Sequence, residues 1–323
     1  MSPAVLFDAT MLGFEYSLLA VGIYISFRIL DMADLTVDGS FCLGMAVSAV
    51  LSVAGHPVAG LVLGAAAGAL AGCVTGLLIT RARINPLLAG IITMTGLYTV
   101  NITVLGGPNV SLLDAKKVYE PVKAALVHVM GTSQVKMLVI VTIVAVIVAL
   151  LALFLHTETG LAMRATGDNE EMCRASSINT NAMKVAGLAL ANALVGLTGA
   201  LLAQYQGYAD MSSGTGMVMV GLASVIIGEL FGGRRNVTAG LVCAVVGSVV
   251  YRLIIQVALQ VNVIDSNALK LISAIIVAAF MAAPAAGAAL REHKARVAAR
   301  QESALLKERE ATAAQANQQE GGR

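Results

Sequence analysis

The chain has 323 residues, 58% of them hydrophobic and 12% charged, with a mean hydropathy of +0.82. An ordinary globular domain carries about 25% charged residues, so this composition leaves too little polar surface for a soluble protein and indicates an integral membrane protein. The net charge of +2 says nothing useful about nucleic acid, because the basic residues are not clustered on one soluble face, and no nucleic-acid partner is expected.

The N-terminal stretch MSPAVLFDATMLG has no Lys or Arg ahead of the first apolar run. A cleaved signal peptide needs a positive segment there, so the first run is expected to remain as a span. Apolar runs lie near 9–30, 57–80, 86–106, 135–156, 183–207, 238–259 and 269–289, with a shorter one at 216–232. Each approaches or exceeds the ~20 residues a helix needs to cross the hydrocarbon. The runs are continuous and do not alternate, so they are helices and not barrel strands. Asp38 and Gly39 interrupt the start of 35–55, which is either a short span or a half-helix that re-enters. The expected fold is all-α: a polytopic helical membrane protein of eight or nine transmembrane helices over residues 1–290. The tail 291–323 is rich in Ala, Glu, Arg and Gln and reads as a solvated helical extension that frays into disorder.

Within the second long run, glycine recurs at every fourth position: Gly60, Gly64, Gly68, Gly72 and Gly76. Residues four apart share a helix face, so this face is a groove without side chains, suited to close backbone approach in lipid. Its partner is a helix of this chain or of a second copy. The long loop 107–134, with Pro108, Asp114, Lys116, Lys117, Glu120, Pro121 and Lys123, has room for a short surface helix around 120–130. It is a solvated cap or a landing site for an external partner. Polar residues inside apolar runs are candidates for the pathway: Glu15, Tyr16, Thr95, Tyr98, Asn101 and Asn192. Each has an interhelical hydrogen bond as its plain alternative. Asp34, Thr36, Asp38 and Ser40 form a polar turn where apolarity breaks, either a gate or a helix cap. Ala33-Asp34-Leu35-Thr36 is echoed by Ala209-Asp210-Met211-Ser212, each before an apolar run.

Between two long apolar runs lies a polar island, GLAMRATGDNEEMCRASSINTNAMK, from Gly160 to Lys184. A chain that only turned around would not need Arg164, Asp168, Glu170, Glu171, Arg174 and Lys184, so the loop 157–182 reads as a docking surface. With Arg81 and Arg83 placed in the cytoplasm, the island, Gly232-Gly233-Arg234-Arg235 and the tail fall on the same side. That orientation puts 15 Lys/Arg inside and 6 outside, as the positive-inside rule requires. Asp168 or Asn169 can cap a helix whose first turn holds Glu170 and Glu171, and Arg174 follows Glu170 by four residues on the same face.

The sequence holds no GxxxxGK[ST], HExxH or GxSxG. Cys42, Cys73, Cys173 and Cys243 form no CxxC, and no His/Cys spacing suits a metal. Only Glu15 and Asp38 among the acids lie deep, which argues against a carrier driven by its own ion sites. The chain therefore reads as a pathway without a motor.

The island and the span after it resemble the cytoplasmic loop of ABC-importer permeases of the branched-chain amino acid/ribose type. The residues that carry this are Gly160, Arg164-Ala165, Gly167-Asp168-Asn169, Ile178-Asn179 and Gly196-Leu-Thr-Gly199-Ala, together with ILDMADLTVDGSFCLGMAVSAV at 29–50. The likeness is nearest to permeases linked to tryptophan/tyrosine-type uptake. Ser176-Ser177 depart from the family's usual small residue followed by glycine. The resemblance implies a type II-like importer permease in the bacterial inner membrane with a cytoplasmic C-terminus. It implies two permease copies around a central pathway, a cytoplasmic ABC ATPase that alone holds ATP and Mg, and an external solute-binding protein. It also makes 168–178 the coupling helix, with Arg164, Asp168, Asn169, Glu170, Glu171, Arg174, Ile178 and Asn179 as its contacts. The substrate implied is an amino acid. A sugar or nucleoside importer, or a self-contained secondary carrier or channel, is the alternative.

Overall fold

The computed structural model describes residues 3–126, 131–232 and 236–260, together with 274–275, 277–279 and 282. Arg234 and Arg235, most of the expected span 269–289 and the tail 291–323 lie outside the described residues. The chain divides into Met1–Ala274, which holds every element named below, and Ile275–Arg323, whose few described positions are helical.

Helix α1 (Pro3–Ile23) continues as a π-helix over Tyr24–Ile29. The helix then stops: Asp31 takes φ 52, and no regular structure forms until Thr36. Helix α2 (Val37–Val53) follows, then α3 (Pro57–Thr80) and α4 (Pro86–Leu105). Pro57 and Pro86 open their helices at a position where the missing N–H is no loss. Asn85 caps α4 by accepting from the Leu87 amide at 3.0 Å, and Gly106 at φ 75 ends it.

A short strand β1 (Asn109–Ser111) and helix α5 (Glu120–Leu126) occupy the loop before α6 (Thr132–Leu155). The polar island holds α7 (Glu158–Asp168) and α8 (Glu170–Ala175), and α9 (Thr180–Gln206) follows. Strand β2 (Tyr208–Asp210) pairs antiparallel with β1, with Val110 opposite Ala209, and ties the long loop to the end of α9. A 3-10 turn at Met211–Gly214 leads to α10 (Met217–Leu230), and α11 (Val237–Gln260) completes the described bundle.

Seven helical stretches among the described residues are long and apolar enough to cross a membrane: Ala4–Ile29, Pro57–Thr80, Pro86–Leu105, Thr132–Leu155, Thr180–Gln206, Met211–Leu230 and Val237–Leu259. They fall on the runs read from the sequence. The ambiguous region 35–55 becomes α2, whose 17 residues extend about 25 Å at 1.5 Å per residue, short of a ~30 Å hydrocarbon core. It is buried along most of its length, with Phe41, Met45, Ala46 and Ala49 fully enclosed. The two three-residue strands are an addition to an otherwise helical fold.

The glycine groove of α3 packs within this chain. A Cβ on Gly68 or Gly72 would run into the carbonyl oxygens of Asn192 and Leu188 on α9. At Gly76 the added carbon would lie 2.8 Å from the Val185 Cα, and at Gly64 3.0 Å from the Ala200 Cβ. Gly60 meets α2 instead, 3.1 Å from the Ser48 carbonyl oxygen. Gly44 on α2 sits on the backbone of Gly196. Helices α2, α3 and α9 thus share one core in which backbones touch.

Candidate functional site

Asp34 and Thr36 at the break between α1 and α2 are buried, so their polar groups must find partners inside the protein. Asp34 accepts from the Thr36 amide at 2.8 Å and from Asn192 Nδ2 on α9 at 2.6 Å. The Thr36 hydroxyl lies 2.7 Å from that of Thr75 on α3, and Thr75 donates to Thr93 Oγ1 on α4 at 2.9 Å. Five residues, two from the break and one each from α9, α3 and α4, form one connected polar chain. Asn192 thus makes an interhelical hydrogen bond. Thr75 and Thr93 are members that the sequence reading missed; their only signal was a hydroxyl in an apolar run. Ser40 is buried, and its hydroxyl has no hydrogen-bond partner among the described residues.

Asp38 joins the two interruptions of the bundle. Its carboxylate accepts from the amides of Gly216 at 2.9 Å and Val218 at 3.0 Å. Those amides belong to the start of α10, where an unsatisfied N–H would otherwise be left. Asp38 is thus a helix cap donated from another element. The echo between 33–36 and 209–212 extends to geometry: Asp210 accepts from the Ser212 amide at 2.8 Å, as Asp34 does from Thr36.

A pocket of about 320 Å³ opens beside this anchor, lined in part by Asp38, Cys42, Met94, Thr95, Tyr98 and Asn101. Three of the expected pathway residues, Thr95, Tyr98 and Asn101, meet here with one expected gate residue. Asn101 is 2% exposed and donates from Nδ2 to the Gly39 carbonyl at 3.0 Å. Its Oδ1 has no partner among the described residues, leaving a strong acceptor at the pocket wall. Tyr98 is 62% exposed, and Thr95, Thr99 and Thr103 form an exposed hydroxyl row on the same span. Polar groups on an outer face of a membrane helix belong against water or another helix.

Glu15 and Tyr16 lie elsewhere. Both are buried on α1, where the Tyr16 ring stacks on Phe41 at 6.5 Å and the Arg252 guanidinium of α11 sits 3.7 Å above it. They do not line the pocket.

At the polar island, Asn169 rather than Asp168 caps α8, accepting from the Met172 amide at 2.9 Å. Asn179 caps α9 in the same way, from Ala182 at 3.1 Å. Glu170 is the centre of the local charge: Arg174 lies 2.7 Å away as the spacing predicts, and Lys184 pairs with its other oxygen at 2.7 Å. Lys184 chiefly, with Arg174 behind it, holds the Glu170 carboxyl below the usual carboxylate range. Helix α8 ends in a 6→1 bond from Ile178 N–H to the Cys173 carbonyl at 3.0 Å and a second from Ser177 to Arg174 at 3.2 Å. This is a Schellman close, with Ser177 at φ 61 in the position a glycine favours. Glu171 and Met172 point outward, Met172 53% exposed. Asp168 is exposed and Arg164 half-buried. Gly167 lies against the Ile29 carbonyl with no room for a side chain, which seats α7 on the end of the π-helix.

The chain matches the family described as branched-chain amino acid transport system / permease component over residues 5–290. It belongs to that family. The permease is 33% identical over 271 residues to the tyrosine transport system permease protein of Clostridioides difficile, covering 82% of this chain and 86% of that protein. It is 29% identical over 229 residues to the ribose import permease protein of Escherichia coli K12, covering 66% of each. No solved structure matches it. The permease is therefore a multi-pass membrane component of an ABC-type transport system.

Proposed function

We propose that this permease forms the translocation pathway of an importer for an amino acid, in the bacterial inner membrane with its C-terminus cytoplasmic. A separate ABC ATPase supplies the energy and holds ATP and Mg. An external binding protein delivers the substrate, and a second permease copy completes the pathway. The observation that carries the reading is the joining of the pocket to both helix breaks through Asp38. A substrate seated there touches the elements whose rearrangement would move it. The Asn101 Oδ1 acceptor and the Asp38 carboxylate suit an ammonium group, and the exposed Tyr98 ring suits an apolar or aromatic side chain. The tyrosine permease among its relatives points the same way.

The ATPase seat is α8. Glu170 is committed to Lys184 and Arg174, so its work is internal; Glu171 and Met172 face outward and are the contact. Glu171→Lys with Met172→Asp is expected to abolish co-purification of the ATPase while leaving the permease folded. Uptake of labelled tyrosine in cells carrying the whole system checks the substrate, with ribose as the comparison. Uptake that persists without any ATPase overturns the proposal.

A further inference from the structure

A second pocket, of about 470 Å³, lies where the end of α3 meets α8 and the start of α9. Three cations line it, Arg83, Arg174 and Lys184, against the single carboxylate of Glu170; Thr80 and Asn181 add neutral polar groups. Glu170 is shared between Arg174 and Lys184, while Arg83 makes no ion pair among the described residues. The pocket therefore carries excess positive charge with a guanidinium left over, and guanidinium is the group best matched to phosphate oxygens.

We propose that this pocket binds the phosphate of an anionic phospholipid headgroup. Two features favour a lipid over a soluble anion. The outer face of α3 leading to Thr80 exposes Leu70, Val74 and Leu77, spaced on one helical stripe, which gives acyl chains a surface continuous with the charged seat. Ile79 adds an apolar rim beside the cations. The site is also separate from the ATPase contact. Glu170 and Arg174, four residues apart, share one face of α8, and Met172 lies on the opposite face, so the lipid seat and the Met172 side of the motor contact are separated on one short helix. Headgroup binding braces α8 against α3 through Arg83, where no direct ion pair does so.

The test uses the purified full-length chain in detergent, titrated with phosphatidylglycerol, phosphatidylcholine or inorganic phosphate. Native mass spectrometry reads bound lipid and thermal unfolding reads stabilisation. Phosphatidylglycerol is expected to bind at least tenfold more tightly than phosphatidylcholine. Arg83→Gln is expected to weaken it about tenfold, the order of one charge-assisted hydrogen bond, and Arg81→Gln, outside the pocket, to leave it unchanged. Asn181→Ala, which disturbs no ion pair, provides a second reading with a smaller loss should Arg83→Gln fold poorly. Equal binding of the two lipids, or phosphatidylglycerol binding indifferent to both pocket substitutions, overturns the proposal. Inorganic phosphate stabilising as well as phosphatidylglycerol assigns the seat to a soluble phosphate and overturns the lipid source.

Discussion

Ser177 holds a left-handed conformation that costs a non-glycine residue about 1 kcal/mol, at a turn that two backbone bonds otherwise close well. Ser177→Gly is expected to raise thermal stability by relieving that strain, read as an upward shift in the melting temperature of the purified permease. Glu170 gives a prediction with a sign. Its pKa is lowered on folding, by Lys184 first, so its stabilisation is complete above the unfolded-state value and is lost as pH falls through the lower folded value. Amide exchange in α8 should therefore be slower in the wild type than in Glu170→Gln at neutral pH, and the difference should vanish in acid below the ordinary carboxylate range. The residues of α8 were legible in the sequence because their chemistry is local. An ion pair acts four residues ahead, so Arg174 could be placed by counting, and the cap could be narrowed to Asp168 or Asn169, between which the Met172 amide decides. Asp34 with Asn192, and Asp38 with Val218, are 158 and 180 residues apart, and no spacing rule reaches that far.

At the scale of elements, the groove of α3 shows what periodicity can and cannot supply. Five glycines at every fourth position fix a face but not its partner; the partner became visible only when Asn192, Leu188 and Val185 of α9 were found against it. Because the Gly68 position touches a backbone carbonyl, which cannot rotate away, Gly68→Ala is expected to force α3 and α9 apart and lower stability by about 1–3 kcal/mol. Gly96 on α4, with nothing within 4 Å of an added Cβ, is the matched control: Gly96→Ala should leave the melting temperature of the isolated chain unchanged. Thermal unfolding of the two variants in the same detergent checks both. The α7 helix was harder to foresee. Its seat on the π-helix depends on Gly167 meeting Ile29, and a π turn has no composition of its own.

At the scale of the molecule, the bundle is interrupted twice, at 30–36 and at 207–216, and Asp38 bridges the interruptions. Asp38→Ala leaves two amides at the half-buried start of α10 without their acceptor, each costing about 1 kcal/mol. Hydrogen exchange should accelerate at Gly216 and Val218, and also around residues 36–40, which lose the same tether. Faster exchange confined to one of these segments would show that they move independently.

That bridge ties the two interruptions to each other at the pocket. Asp38 and Cys42 line the pocket together with Met211 and Gly214, and the two pairs touch: Cys42 donates to the Met211 carbonyl at 3.2 Å, and Gly214 lies against Cys42 and the Asp38 carbonyl. The Asp38 and Cys42 hydrogen bonds tie each pair to the other. A guest in the pocket would bear at once on two stretches of chain more than half the sequence apart, joined there as a single wall.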